Sequence, residues 1–474
     1  MKVAVIGGGI TGLTAARHLI EKSRSEDVPC DIVLYEKDSR LGGKIRTYRE
    51  QGLVVEGGPD SMLARKPAGV QLLRDLGMET DIVYMNPEAS QTFIVRNGKL
   101  HPMPQGTFVG IPAEVEKFLT SSLLSGTGKL RALADVWLPA SPIQQDVSLG
   151  AFLRSRLGDE WVDYLGEPLL AGIYAGRIDQ LSLFATWRQL YDLAVQSRSL
   201  IIGAMASRKR QQTNRSGLSG RSAFVTVRTG LESVIERLRD DVAQAVSIRL
   251  GTQVVAMRRT ENGYEVRSTG DNGSSASETF DGVVLTTPVA AAKPLLRQLD
   301  IVSDEFDVPY ASTATIILAY RKQDVAVDLS HASGFLVPRS EGMAMTASTW
   351  MSSKWPHTTP SNMVVLRCYV GRAGQEEYLQ LDDEAMVKQV SREVESIVGI
   401  QAEPVWHKVT RWSHAMPNYL VGHGDHLQRL HTAIQSQAPA LAVAGAGYEG
   451  LGLPDCIVQG QRAADEVFTA LFRR

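Results

Sequence analysis

Gly7, Gly9 and Gly12 are spaced as GxGxxG near the start of the chain, with Gly8, Ile10 and Thr11 filling the loop between them. The short apolar run from Lys2 to Ile6 reads as a buried strand. Leu13, Ala16, Leu19 and Ile20 then recur at helical spacing through about Arg24. In a strand–turn–helix of this kind the first glycine permits the tight turn. The second lets the backbone approach a pyrophosphate, and the third lets the helix pack closely on the strand. The free N–H groups and positive dipole at the helix start then face the phosphates. The next strand, from Asp31, ends on Glu36, followed by Lys37. That places an acid 24 residues past Gly12, where it accepts hydrogen bonds from ribose hydroxyls and repels a 2′-phosphate. The spacing predicts a dinucleotide site that disfavours NADP.

More paired glycines follow. Arg40-Leu41-Gly42-Gly43-Lys44 comes directly after the acid, and Glu56-Gly57-Gly58-Pro59 continues into Asp60 and Ser61. Each pair lets backbone N–H groups reach a further length of cofactor, which suits a molecule longer than NAD. Near the other end, Leu441 to Gly447 reads as a strand and turn. Leu451, Gly452 and Leu453 then lie in a second glycine turn that opens a helix near Asp455.

These loops need a framework to hold them. A helix is expected over Val70–Leu76. Long helical periodicity runs from about Pro112 to Tyr191, with breaks at Gly126, Pro139–Pro142 and Gly158. Strands are expected at Ser247–Leu250, Gln253–Arg258, Gly263–Ser268 and Gly282–Thr286, completing the N-terminal sheet. Alternation over Val308–Trp350 and Met363–Val370 predicts a second, largely antiparallel sheet, and Asp382–Val398 a helix. Ser207–Ser222 is polar, with Arg208, Lys209, Arg210, Arg215 and Arg221, and reads as a loop. It is either solvated or a cationic lid over an anionic substrate. The fold class expected is α/β: a Rossmann-like nucleotide domain assembled from residues 1–85, 225–295 and 425–474. A helical domain (90–195) is inserted into it, and a mixed-sheet substrate domain spans 196–224 and 296–424.

Composition narrows the function classes. The 474 residues call for two or three domains, and 43% hydrophobic with 22% charged residues is a globular balance. A net charge of −2 gives no field toward nucleic acid. Cys30, Cys368 and Cys456 make no CxxC pair and no metal spacing, which fits packed thiols in a reducing compartment. With no secretory signal and no stretch of about 18 apolar residues, a cytoplasmic protein with at most peripheral membrane contact is expected.

The acid followed by R-x-G-G resembles the flavin amine oxidase superfamily, which implies FAD. Over nearly the whole chain the motifs resemble the Gram-positive type of coproporphyrinogen III/protoporphyrinogen oxidase within it. They are Gly58-Pro59-Asp60-Ser61, Leu100–Pro104, Glu167–Gly176, Lys354-Trp355-Pro356, Thr410-Arg411-Trp412 with Ala415-Met416-Pro417, and Tyr448–Cys456. Arg177 departs from the pattern, since the family usually has an acid there. The resemblance implies an FAD-dependent oxidase of haem biosynthesis, acting on CH–CH groups with O₂ as acceptor. It implies a late turn at Leu451–Leu453 against the flavin, Trp412 packed near it, and Val254 on the adenine side. No cysteine lies near Thr410–Tyr419, so noncovalent FAD is implied. It further implies a porphyrinogen substrate, with Lys66 (beside Arg65) as a propionate contact and Ile173 as an apolar cavity wall. Product hand-over to a ferrochelatase follows from the same likeness. No catalytic base is legible. Rival readings are a protoporphyrinogen IX oxidase, an amine oxidase, a carotenoid desaturase, and a nonenzymatic binding module on the same fold.

Overall fold

A computed structural model describes residues 1–139, 143–214, 222–302 and 306–472. Strand β1 (Lys2–Ile6) runs into helix α1 (Ile10–Ser25) and back to strand β2 (Asp31–Tyr35). β1 lies at the centre of a five-stranded parallel sheet. β2 and Val246–Arg249 lie on one side of it, Gly282–Leu285 and Leu441–Val443 on the other. Parallel strands covered on both faces read as continuous apolar runs, and Gly282–Leu285 is buried throughout. α1, Glu232–Val242 and Leu453–Phe472 pack on one face of this sheet. The strands Thr252–Arg259, Tyr264–Gly270 and Ser275–Phe280 cover the other. These three form their own antiparallel meander. Two of the strands expected to complete the N-terminal sheet therefore lie outside it. They are linked by short turns, and such connections favour antiparallel pairing over insertion into a parallel sheet.

The second sheet has seven strands. Trp406–Pro417 and Tyr310–Arg321 lie at one side, followed by Met363–Val370, Met345–Trp350 and Ala332–Leu336. Gln91–Arg96 and Lys99–Pro102 close the other edge, and Ala332–Leu336 pairs parallel with Gln91–Arg96. Asp383–Val398 packs its apolar face on this sheet, with the Asp382 side chain accepting from the Ala385 N–H at its N-cap. The helical domain boundary at 90 is thus corrected: residues 91–102 are sheet strands, paired through non-local partners that local periodicity cannot show.

The helical insertion has its own core, built on Phe118, Phe152, Trp161, Leu165 and Leu190. Leu200, Ile201 and Ala204 join that core from the helix Leu200–Asn214. Two expectations change accordingly. The helical unit continues past 195, and residues 207–214 are helix rather than loop, with Arg208 ion-paired to Glu114. Residues 215–221, with Arg215 and Arg221, fall outside the described residues. Arg156 is buried in this insertion, ion-paired with Asp135.

Candidate functional site

The glycine loop between β1 and α1 is tight where the chain needs contact and open where a ligand would lie. A Cβ on Gly12 would overlap the Gly7 carbonyl oxygen, whereas one on Gly9 would meet nothing within 4 Å. Gly9 is the N-cap of α1 and no side chain caps that helix. Its first N–H groups are therefore left for an incoming acceptor. Glu36 is buried, and its carboxylate accepts the Gly8 N–H at 2.7 Å and the Asp38 N–H at 2.9 Å. It thereby ties the glycine loop to the end of β2. Lys37, next to it, points its side chain to solvent. Val254 is buried on the strand that follows Glu36 around the edge, where the Thr252 N–H donates to the Glu36 carbonyl at 2.8 Å.

From Gly9 the glycine backbone contacts continue. Gly9 bridges to Gly42, and a Cβ on Gly43 would come within 3.6 Å of the Gly9 Cα. Arg40 braces this turn through the carbonyls of Leu41, Gly43 and Ile45. A Cβ on Gly58 would overlap the Lys44 carbonyl and lie 3.5 Å from the Trp412 ring. The Gly57 carbonyl accepts the Trp412 indole N–H at 2.7 Å and the Thr315 hydroxyl at 2.7 Å. Close backbone contacts thus link Gly9, Gly42 and Gly43, and tie Gly58 to Lys44 and Trp412, along one candidate cofactor groove.

Lys44 is a part-buried cation here that makes no ion pair among the described residues. Lys44 Nζ donates to the Ala415 carbonyl and sits 5.6 Å from the Tyr310 ring centroid. Burial pushes its pKa down to about 8. Such a group suits an anionic ligand. The uncapped helix end, the open Gly9, the carboxylate at Glu36 and this lysine together fit the phosphates, ribose and ring of a flavin dinucleotide.

Beyond Gly58 the site meets the second sheet. Asp60 accepts from Ser61 Oγ at 2.9 Å and from Lys354 Nζ at 2.9 Å, with Arg367 Nη1 at 4.0 Å. Burial alone would raise the Asp60 carboxyl, but Lys354 and Arg367 outweigh it and hold it well below the usual carboxylate range. Arg367 is 3% exposed and donates to the Gly58 carbonyl and to the Tyr369 hydroxyl. Sequence reading did not single out Arg367 or Thr315. The available signal was a lone arginine inside the apolar run Met363–Val370.

The far wall comes from the last glycine turn and the helical insertion. Leu451 packs on the core of the insertion and Leu453 on that of the nucleotide sheet, so Gly452 lies where the two meet. Tyr419 OH donates to the Ala446 carbonyl at 2.6 Å and accepts the Gly450 N–H at 3.0 Å. Its ring lies edge-on to Tyr174 and stacks on His423. Burial pushes the Tyr174, Tyr419 and Tyr448 hydroxyls above the usual phenol value, so none is a ready base. A π-helical segment, Val162–Ala171, accommodates Pro168 and leads into the short turn Gly172–Tyr174. This turn buries Tyr174 and leaves Ile173 48% exposed. Lys66 is held in an ion pair with Asp455, Nζ lying 2.6 Å from each carboxylate oxygen. All three cysteines are free, and burial pushes Cys456, beside Lys44, up to about 11.

Known proteins resemble this chain in sequence and fold. The chain is 38% identical to a Bacillus subtilis (strain 168) protein named coproporphyrinogen III oxidase, over 99% of this chain and 98% of that one. It is 36% identical to the Staphylococcus aureus (strain NCTC 8325 / PS 47) protein of the same name, over 99% of both. A solved structure from Exiguobacterium sp. 255-15, assigned as a protoporphyrinogen oxidase, superposes with a TM-score of 0.84 at 34% identity. It covers 100% of this chain and 99% of that one. The flavin containing amine oxidoreductase family matches residues 10–468, and the chain belongs to that family.

Proposed function

We propose that this protein oxidises coproporphyrinogen III to coproporphyrin III in the cytoplasm, using noncovalent FAD and O₂ and yielding three H₂O₂. The observation that carries the substrate assignment is identity of 36–38% over the full length of two proteins named for this reaction. Oxidation of protoporphyrinogen IX is the second reading, favoured by the name of the structurally similar Exiguobacterium protein.

In this reading Gly7 to Gly12 hold the pyrophosphate and Glu36 and Val254 the adenosine end, with Lys37 contributing backbone at most. Gly43, Lys44, Gly58, Pro59, Asp60, Ser61, Trp412 and Leu451 to Leu453 surround the isoalloxazine end. A bound flavin supplies two-electron oxidation and delivery of the electrons to oxygen. The substrate loses six hydrogens, four from its meso carbons and two from pyrrole nitrogens, in three such rounds. Electron-rich pyrroles stabilise the developing cation, so the chain's task is to orient the macrocycle and exclude water. Ile173 and the Tyr174–Tyr419 pair supply an apolar wall for that purpose. Lys66 is the propionate contact, its ammonium shared between Asp455 and the incoming carboxylate. The buried tyrosines keep their protons, and proton release falls to the substrate nitrogens and water. The product is of the kind a ferrochelatase would metallate.

The test is turnover of both porphyrinogens by the purified yellow protein, followed by porphyrin fluorescence and peroxide. The expected result is faster coproporphyrinogen oxidation with about three peroxides per porphyrin, one per two-electron cycle. Faster protoporphyrinogen turnover would favour the second reading, and porphyrin from neither would remove both.

A further inference from the structure

Three arginines converge where the residues after Tyr174 touch the loop at 371–375. Arg339 Nε donates to Glu167 at 3.1 Å, Nη1 to the Ala373 carbonyl at 3.0 Å, and Nη2 to the Gly176 carbonyl at 3.2 Å. Arg177 Nε donates to the same Ala373 carbonyl, at a long 3.4 Å. Arg372 Nε donates to Gln375 Oε1 at 2.7 Å and Nη1 to the Val337 carbonyl at 2.9 Å. Its Nη2 is buried with no partner.

Among the described residues, one carboxylate ion-pairs with this cluster. Glu167 binds Arg339 and also accepts the Ile178 N–H at 3.0 Å. Glu376, in the adjoining loop, is turned to the Ser312 N–H at 3.0 Å. Arg177 is exposed and makes no ion pair among the described residues. Burial and then repulsion from Arg339 push Arg372 down to about 10, which marks a cluster short of an anion. Lys66, the cation expected to meet a propionate, is by contrast already neutralised by Asp455.

The position matters as much as the charge. Arg177 comes three residues after Tyr174, the end of the turn that supplies the apolar wall in the reading above. Two guanidinium groups share one carbonyl there, and the weaker of the two bonds is the one Arg177 would exchange for a better acceptor. A planar carboxylate takes paired N–H donors from such groups. Porphyrinogens with two propionates carry them on one edge and need one cationic set. Those with four need a second.

We propose that Arg177 and Arg339 form a carboxylate-binding subsite at the rim of the substrate cavity, taking a propionate that a two-propionate porphyrin lacks. This rests on the porphyrinogen reading above.

The test is binding of coproporphyrin III and protoporphyrin IX to flavin-loaded protein by fluorescence quenching, with KM values for the matching porphyrinogens. Arg177→Ala should raise the Kd of the four-carboxylate porphyrin about five- to tenfold, the size of a partly exposed charge-assisted hydrogen bond. Arg177→Glu should raise it further, and Arg177→Lys should restore part. The two-carboxylate porphyrin should change less than about twofold, and flavin content and melting temperature should stay at wild-type values. Equal losses for both porphyrins, or no loss for either, would overturn the subsite while leaving the oxidase reading in place. Wild-type protein that binds neither porphyrin would overturn both together.

Discussion

At the scale of single residues, Gly9 and Lys44 separate what the fold needs from what the ligand needs. Gly9 has open space beside it and an extended backbone at the N-cap of α1, so a larger residue costs the bare protein little. Gly9→Val should therefore fold, keep its melting temperature without flavin, and lose the flavin absorbance on purification. Full flavin retention would refute the placement of the pyrophosphate. Lys44 titrates near pH 8, below the usual lysine value, because burial disfavours its charge. Between about pH 8 and the ordinary lysine value the unfolded chain binds a proton that the folded chain lacks, so this residue's penalty on the flavin-free fold fades as pH rises through that window. An anion beside Lys44 reverses the preference and restores the proton. Flavin binding should then take up a proton above pH 8, with the Kd rising toward tenfold per pH unit. Titrations of flavin from pH 7 to 10 would show this slope in the wild type and its absence in Lys44→Met. A flat wild-type profile would place Lys44 away from the cofactor's charge.

At the scale of elements, legibility followed the range of the interactions. The β1–α1–β2 unit was readable because its determinants are local. Glycines, apolar spacing and a terminal acid all lie within one supersecondary unit, and Glu36 reaches back only to Gly8. The helix Asp383–Val398 was readable for the same reason, since Asp382 caps it and its apolar face is periodic. Strand partners were not. Gln91–Arg96 pairs with Ala332–Leu336, and nothing near residue 91 announces that. Thr252–Arg259 looks like any strand, and only its antiparallel neighbour keeps it out of the parallel sheet. The helix Leu200–Asn214 ends in polar residues that resemble a loop, and it is fixed at its other end by Leu200 and Ile201 in the insertion's core. Arg156 shows the same limit for charge. On sequence it is one of several charges on a helix. In the fold it donates to the carbonyls of Pro139 and Arg198 and to Asp135, which also accepts from Ser199 Oγ and the Ile201 N–H. Of the site, the glycine loops were legible and the side chains that hold them from the second sheet were not.

At the scale of the whole molecule, one ionic cluster couples cofactor site to domain packing. Asp60 belongs to the nucleotide segment, while Arg367 belongs to the second sheet and Lys354 to the short helix Met351–Lys354 that follows its strand Met345–Trp350. Arg367 also donates to the Gly58 carbonyl, so the docking of the two sheets and the shape of the groove share an atom set. Removing one partner of a buried pair leaves the others uncompensated, at a cost of about 3–5 kcal/mol. Asp60→Asn should lower the melting temperature of the flavin-free protein at pH 7. Because the folded-state pKa of Asp60 is depressed, its contribution is present above the ordinary aspartate value and disappears as pH falls through the folded one. The wild-type advantage over Asp60→Asn should therefore be constant from neutral pH down to about 4 and shrink below it. Flavin binds the folded state alone and stabilises it by mass action. If Arg367 loosened by loss of Asp60 lets the Gly58 turn relax, the rise in melting temperature at saturating flavin should be smaller in the variant than in the wild type. An unchanged flavin-induced rise, with the same drop in the flavin-free protein, would show that the cluster fastens the two sheets without shaping the groove between them.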